Sequence, residues 1–495
     1  MTITTLYQLL VILFGFLIPR SFLIEYGANI HGLISTATNI LSYVQILNAG
    51  LLSASVQALY KPLSLGEKSS VSSVLNAVKK YYQKVGFSYI IAILVIAIIL
   101  PVFVSSEVPS ITVFFVMTVM GLSSIFDSFL GSKYRVLVQA DQKYWLISLC
   151  SMLSLTLKSI FQLFLIYFHC SIVTVQFIPA LMTVMTYIIL KIYVRKNYQY
   201  LNSKDKPDYS ALGQRKAAMV HQVAGIVVNN TATLLLTIFE DLTVVSIYSV
   251  YQMVFTHLYT LLTNLFSTST VASFGHMLVA EPLERVRAIF DKYEALFYGV
   301  MSIVLGTAAI MITPFIELYT EGVKSISYSD IKLVILFVTI AILNSGRVPG
   351  VMLINAAGHY QKTQYRALIE AGSNLGISLI LIQFIGIYGV LLGTIISFIY
   401  RTFDILIYSN KYILKRSPLR SIRRFLRTII ILIASCGMVQ FIDINTSDTL
   451  IHWVLGAVIS VVISSSITFL IWLLMERTAL FDIFRYININ YLQRK

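Results

Sequence analysis

Residues Gly15–Gly27 read GFLIPRSFLIEYG and close an apolar run that begins near Leu6. A helix that crosses the hydrocarbon core of a bilayer needs about 20 mostly apolar residues. The run meets that length. It lacks a basic leader and a small-residue cleavage site, so it is read as a retained helix, not a signal peptide. Inside it stands an arginine directly after a proline, Pro19-Arg20. A charge at that depth is costly unless it is paired or hydrated. The stretch therefore sets two expectations: lipid is the solvent of this fold, and Arg20 faces something other than lipid.

The whole chain agrees with the first. It has 495 residues, 57% hydrophobic and 12% charged, with mean hydropathy +0.81. Soluble domains run near a quarter charged. Fourteen spans are expected, at roughly 4–24, 29–58, 86–105, 110–132, 145–168, 172–193, 216–239, 243–274, 293–318, 328–353, 366–385, 388–410, 427–442 and 450–475. The expected class is an all-α polytopic membrane protein. Cys150, Cys170 and Cys436 are far apart in or beside apolar runs, which excludes a disulfide framework and a zinc site. No P-loop, nucleophile elbow or HExxH motif appears, so neither a cofactor nor an enzyme activity is expected.

The net charge of +15 follows from placement. Alternate loops carry Lys61 to Lys84, Lys133 to Lys143, Lys191 to Lys216, Arg285 to Lys292, Lys362 with Arg366, and Lys411 to Arg427, and the tail carries Arg477, Arg485, Arg494 and Lys495. The opposite side has Arg20, Lys324 and Lys332 with acids such as Glu107, Glu240, Asp241, Glu317, Glu321, Asp443 and Asp448. Basic loops stay in the cytoplasm, which puts both termini there and leaves no need for a nucleic acid partner. RSPLRSIRRFLR (Arg416 to Arg427) is either a loop anchor of this kind or a dock for anionic membrane lipid.

Two junctions look alike. YRVLVQADQKYW (Tyr134 to Trp145) and VMLINAAGHYQKTQY (Val351 to Tyr365) both pass from apolar residues through a small polar turn to Gln-Lys and an aromatic. Transporters often arise from repeated halves. The expected layout is a six-helix lobe over 1–200, a second over 201–412, and a basic loop, helices thirteen and fourteen and a tail over 413–495.

Polar residues fall in stripes. Ser35, Thr38, Ser42, Gln45 and Asn48, flanked by Asn39, share one face of helix two. His221, Gly225, Asn229, Thr233 and Thr237 recur every four residues on helix seven, and Tyr251, Gln252 and Tyr259 lie on helix eight. A continuous amide-rich stripe points to a water-filled cavity. Among the charges inside spans, three ion pairs are expected: Arg401 with Asp404, Arg366 with Glu370, and Asp127 with Lys158. Arg20, directly after Pro19, and Arg347, near Pro349, lack an evident helical partner and are expected to face inward and hold an anion, a task that suits a guanidinium.

EYGANIHGLISTATNILSYVQILNAGLLSASVQALYKPL (Glu25 to Leu63), VQADQKYW and NAAGHYQKT, joined to fourteen spans, resemble the polysaccharide transporter (Wzx-type flippase) branch of the multidrug/oligosaccharidyl-lipid/polysaccharide (MOP) exporter superfamily. The resemblance implies two pseudo-symmetric six-helix lobes in a V, a cavity lined by helices one, two, seven and eight, and an extra C-terminal helix pair that grooves a lipid tail. It implies a bacterial cell-membrane flippase that carries undecaprenyl-pyrophosphate-linked oligosaccharide from the inner to the outer leaflet by alternating access, working with the glycosyltransferases and polymerase of its pathway. On that reading Gln45, Asn48, Asn229 and Gln252 hydrogen-bond sugar, Tyr251 and Tyr259 stack on it, and Arg20 with Arg347 holds the pyrophosphate. Asp127, Glu370 and Asp404 are the candidate ion carriers. The alternatives are a multidrug cation antiporter or a lipid II flippase.

Overall fold

The computed structural model describes residues 2–104, 108–209, 216–268, 270–323, 326–439 and 449–477. The sequence readings at Glu107, Arg215, Lys324, Asp443, Asp448, Arg485, Arg494 and Lys495 lie outside the described residues, as does the end of span 427–442. Every regular element among the described residues is helical. Eleven segments among them are long and apolar enough to cross a membrane.

Helix α1 (Thr2–Val44) contains a break at Gly27, where φ is 80° and ψ is 177°. Forty-three residues of straight helix would span about 65 Å, twice a hydrocarbon core of about 30 Å. The break divides the run into the two spans expected from hydropathy. Only glycine takes this backbone conformation freely. A short 3-10 turn (Gln45–Asn48) and Gly50, at φ 71°, lead into α2 (Leu51–Ser64). Then come α3 (Lys68–Phe103), α4 (Ser110–Phe126), a π-helical turn (Asp127–Gly131), α5 (Ser132–Ala140), α6 (Tyr144–Tyr167) and α7 (Ile172–Asn197).

The second series is α8 (Lys216–Phe239), α9 (Leu242–Thr263), a π turn (Asn264–Thr268), α10 (Val271–Ala280), α11 (Leu283–Tyr319), α12 (Ile331–Gly346), α13 (Val348–Ala356), α14 (Tyr360–Ile385) and α15 (Ile387–Tyr408), which runs on as a π turn (Ser409–Ile413). Helices α16 (Leu419–Val439) and α17 (Leu450–Met475) follow. Boundaries recur 216 positions apart: Ser64 and Ala280, Phe103 and Tyr319, Ala140 and Ala356, Tyr144 and Tyr360, Asn197 and Ile413. The two junctions that look alike in sequence are the same turn. Asp141, Gln142 and Lys143 donate to Leu137, Gln139 and Val138, as Ala357, Gly358 and His359 do to Leu353, Asn355 and Ile354.

The chain divides into two compact units, Met1–Ser249 and Val250–Lys495. The first includes α8, which packs along α1. In the second unit, α16 and α17 both pack on α11. A Cβ on Gly299 would meet the Trp472 ring at 2.3 Å, so a small residue there sets the approach of α17.

The basic stretch Arg416–Arg427 is tied to this packing. Arg416 and Arg420 bond Asp291 at 2.5 and 2.7 Å, Arg424 bonds Glu294 and Glu476 at 2.9 Å, and Arg427 bonds Glu476 at 2.8 Å. Four of its arginines thus clamp the ends of α11, α16 and α17 together. Burial alone would raise the Glu476 carboxyl, but Arg424 and Arg427 outweigh it and hold the pKa below its ordinary value. A carboxylate with a depressed folded-state pKa stabilises the fold above its unfolded-chain pKa, and that contribution is lost as pH falls through the folded value. Glu476→Gln is expected to cost ~1–3 kcal/mol at pH 7. The gap from wild type should narrow as pH falls below the ordinary glutamate range and through the lowered folded value, as read by thermal unfolding of the purified protein.

Candidate functional site

The second half of α1 runs antiparallel to α8 along a polar seam. Thr36 and Thr237 hydroxyls meet at 2.7 Å, Tyr43 meets Thr231 at 3.1 Å, and the Gly50 amide donates to Gln222 Oε1 at 3.0 Å. Each step toward the C-terminus on one helix is matched by a step back on the other. At the upper end a Cβ on Gly32 would lie 1.9 Å from the Leu242 carbonyl oxygen, so the backbones touch there. His31 adds a 2.8 Å bond to Ser246. Hydroxyls and glycine are the residues that let helices meet closely in lipid.

The seam uses one face of α1, and the stripe Ser35, Thr38, Ser42, Gln45 lies on the other. Thr38, Asn39 and Ser42 bond their own helix's carbonyls four residues back, at 2.8, 2.8 and 3.1 Å. At its lower end the stripe reaches a cavity of about 490 Å³. Here α1 has unwound into its 3-10 turn, and Gln45 and Asn48 line the opening with Ser53, Gln222, Tyr82, Tyr89, Ser123, Ser124, Asp127 and Arg135. The Tyr89 and Ser123 hydroxyls are buried without a protein partner among the described residues. The π turn at Asp127–Gly131, a distortion frequent at functional sites, carries Asp127, whose carboxylate stands 3.7 Å from Arg135.

That pair corrects one expectation. Asp127 pairs with Arg135, two turns along its own segment, and Lys158 does not reach it within ion-pair distance. Arg135, assigned to a loop by charge counting, lies inside a helical segment that continues through the π turn to Ala140. The Tyr82–Tyr89 spacing of seven, one face of one helix, was the signal that could have found the aromatic wall.

Arg20 is half-buried on α1, one residue after Pro19, and its Nε is buried without a partner among the described residues. Glu25, the nearest acid in sequence, bonds His169 at 2.5 Å instead. Arg347 differs. It bonds Glu370, donates to Asn344 at 2.6 Å and lies 4.5 Å over the Phe398 ring. Glu370 also takes Arg401 at 3.2 Å, Arg401 bonds Asp404 at 2.7 Å, and Asp404 takes Arg366. Three arginines and two carboxylates thus form one network across α12–α15. Arg347 is held in this shared ion-pair network, in which three guanidinium charges meet two carboxylates. Arg366 pairs with Asp404 rather than Glu370 because the neighbouring helix offers a closer carboxylate than its own next turn.

Tyr251 is also placed differently from expectation. It is fully buried, stacked on Phe337 at 5.2 Å, and its hydroxyl donates to the Tyr328 carbonyl at 2.9 Å. It is a packing residue of the second unit, with no face left for sugar. Asn229 is exposed and bonds the Gly225 carbonyl at 2.8 Å. His221, Gln252 and Tyr259 are half-buried on α8 and α9. Among the described residues no cluster of metal-ligating side chains occurs.

No protein-family model and no curated protein matches this sequence. Solved structures do match its fold. A structure of the lipid II flippase MurJ in an inward closed conformation aligns with TM-score 0.69 at 14% identity, over 95% of this chain and 99% of that one. An inward-facing multidrug resistance MATE family transporter of the MOP superfamily aligns with TM-score 0.61 at 12% identity, over 89% and 99%. The Vibrio cholerae MATE transporter VcmN in its bent form aligns with TM-score 0.52 at 16% identity, over 87% and 99%. The fold is thus one that MOP superfamily transporters adopt.

Proposed function

We propose that this chain, folded like MOP superfamily transporters, is a flippase that carries an undecaprenyl-pyrophosphate-linked oligosaccharide across the bacterial cell membrane for polysaccharide assembly. The observation that carries the reading is the charge balance inside the helices. The interior carboxylates Asp127, Glu294, Glu370 and Asp404 all have arginine partners. Arg20 has no such counter-charge among the described residues. A site for cationic drugs calls for an unneutralised acid, and an anionic headgroup calls for an unneutralised cation. The structural likeness to a lipid II flippase agrees with a lipid-linked cargo.

On this reading fourteen helices form two six-helix lobes and an added pair, with both termini in the cytoplasm. The 216-residue recurrence of element boundaries supports the lobes. The sugar crosses in the polar cavity, where Gln45, Asn48 and Gln222 offer replaceable hydrogen bonds, and the lipid tail stays in the bilayer. Sugar hydroxyls buried unpaired would each cost several kcal/mol, on the order of 2–7. Arg20 holds the pyrophosphate. An inside-negative potential assists outward movement by about 2.3 kcal/mol per charge per 100 mV. The test is reconstitution: liposomes containing the protein should expose inner-leaflet undecaprenyl-pyrophosphate glycan to an external lectin or glycosidase. A rate no faster than that of empty liposomes rejects the reading.

A further inference from the structure

Lys158 sits on α6, 14 residues from its start and nine from its end, so it is near the middle of a spanning helix. It is half-buried, and among the described residues it has no ion pair and no hydrogen bond. An ammonium group at that depth is expensive, and the usual remedy is a partner of opposite charge. It lines a chamber of about 320 Å³ whose walls come from α1, the π turn, α5, α6 and α7. Those walls are rich in hydroxyls: Ser151 and Ser154 on α6, Thr183 and Thr186 on α7. Its charged groups are Lys158, Arg135 and Asp127. Asp127 faces Arg135 at 3.7 Å, so one positive charge remains without a counter-charge among the described residues.

We propose that this chamber is an anion site in which Lys158 and the α6 and α7 hydroxyls hold a small inorganic anion such as chloride or phosphate. The chemistry of the walls fits that class: one fixed cation, hydroxyls on two helices of which, among the described residues, only Thr183 is seen donating elsewhere, to the Pro179 carbonyl, and a carboxylate facing Arg135. A metal cation finds no free carboxylate here. An apolar ligand would leave the ammonium uncompensated. The chamber shares Asp127 and Arg135 with the larger cavity, so its occupant sets the net charge beside the proposed substrate path. The site does not depend on what that cavity carries.

The test is thermal unfolding of the purified full-length protein in detergent. Sodium gluconate, at constant ionic strength, is replaced stepwise by chloride or by phosphate. A ligand that binds only the folded state raises the midpoint saturably. The wild type should gain about 2 °C or more in at least one arm, saturating at millimolar anion. The chloride and phosphate arms say which anion the chamber takes. Lys158→Met should lose the dependence and, in gluconate, unfold no lower than wild type, because an uncompensated charge has been removed. Lys158→Arg keeps the charge and should keep the dependence. A wild type indifferent to the anion, or a methionine variant with the same saturable response, overturns the proposal. The reading fails independently of the flipping assay, which has a different readout.

Discussion

Arg20→Ala is expected, on the proposed flippase reading, to cut transport of the lipid-linked glycan steeply while the protein stays folded in the membrane. The guanidinium is half-buried, its Nε meets no acceptor among the described residues, and the nearby Glu25 is engaged with His169. Removing it therefore leaves no carboxylate stranded, and the fold should tolerate the change. The cost falls on the cargo. A charge-assisted hydrogen bond contributes about 1.5–3 kcal/mol, and a bidentate grip on a phosphate adds geometric specificity. Transport should fall by at least roughly 10- to 100-fold, since about 1.4 kcal/mol is a factor of ten. Arg20→Lys keeps the charge but loses the planar fork and should restore only part of the rate. Flipping in proteoliposomes, with membrane abundance and unfolding midpoint measured alongside, checks this. Wild-type flipping by the alanine variant would remove the phosphate-holding role from Arg20.

A covalent lock across the seam is expected to stop transport completely and reversibly. Thr36 and Thr237 touch through their hydroxyls at 2.7 Å, so cysteine sulfurs at these positions start near disulfide bonding distance, about 2.05 Å. Thr36→Cys/Thr237→Cys is made in a background where Cys150, Cys170 and Cys436 are replaced, since all three are free thiols. Alternating access requires helices beside the cavity to separate on one side and close on the other. The seam is a close helix contact beside the cavity, with Gln222 and Gly50 at its lower end lining the opening. Oxidation should abolish flipping, and a reductant should restore it. If mass spectrometry shows the bond formed and flipping continues unchanged, the seam does not open during transport.

Hydropathy reaches far in this chain because lipid imposes a simple rule: backbone polar groups must be satisfied within the segment, so an apolar run must be a helix. The break near Gly27 was legible on that ground, and the junctions at residues 141–143 and 357–359 from their matching pattern. Arg135 was not, because a charge count assigns residues to loops wherever the apolar window ends, and here the helix continues through a π turn. Tyr251 was misread because a tyrosine on a helix face looks the same in sequence whether it meets Phe337 or open water.

By itself, the sequence determined a helical chain with many segments apolar enough to cross a membrane, the repeated turn and the presence of charges that had to be compensated. Only the tertiary structure decided which charges are compensated. Arg347 and Glu370 are 23 positions apart, Arg366 and Asp404 are 38 apart, and Arg424 and Glu476 are 52 apart. Periodicity within one helix sees partners about three or four residues away. Coulomb attraction between neighbouring helices ignores that spacing and selects whichever carboxylate the packing brings nearest. By that selection Arg347 is paired with Glu370, whereas Arg20 and Lys158 have no ion pair among the described residues.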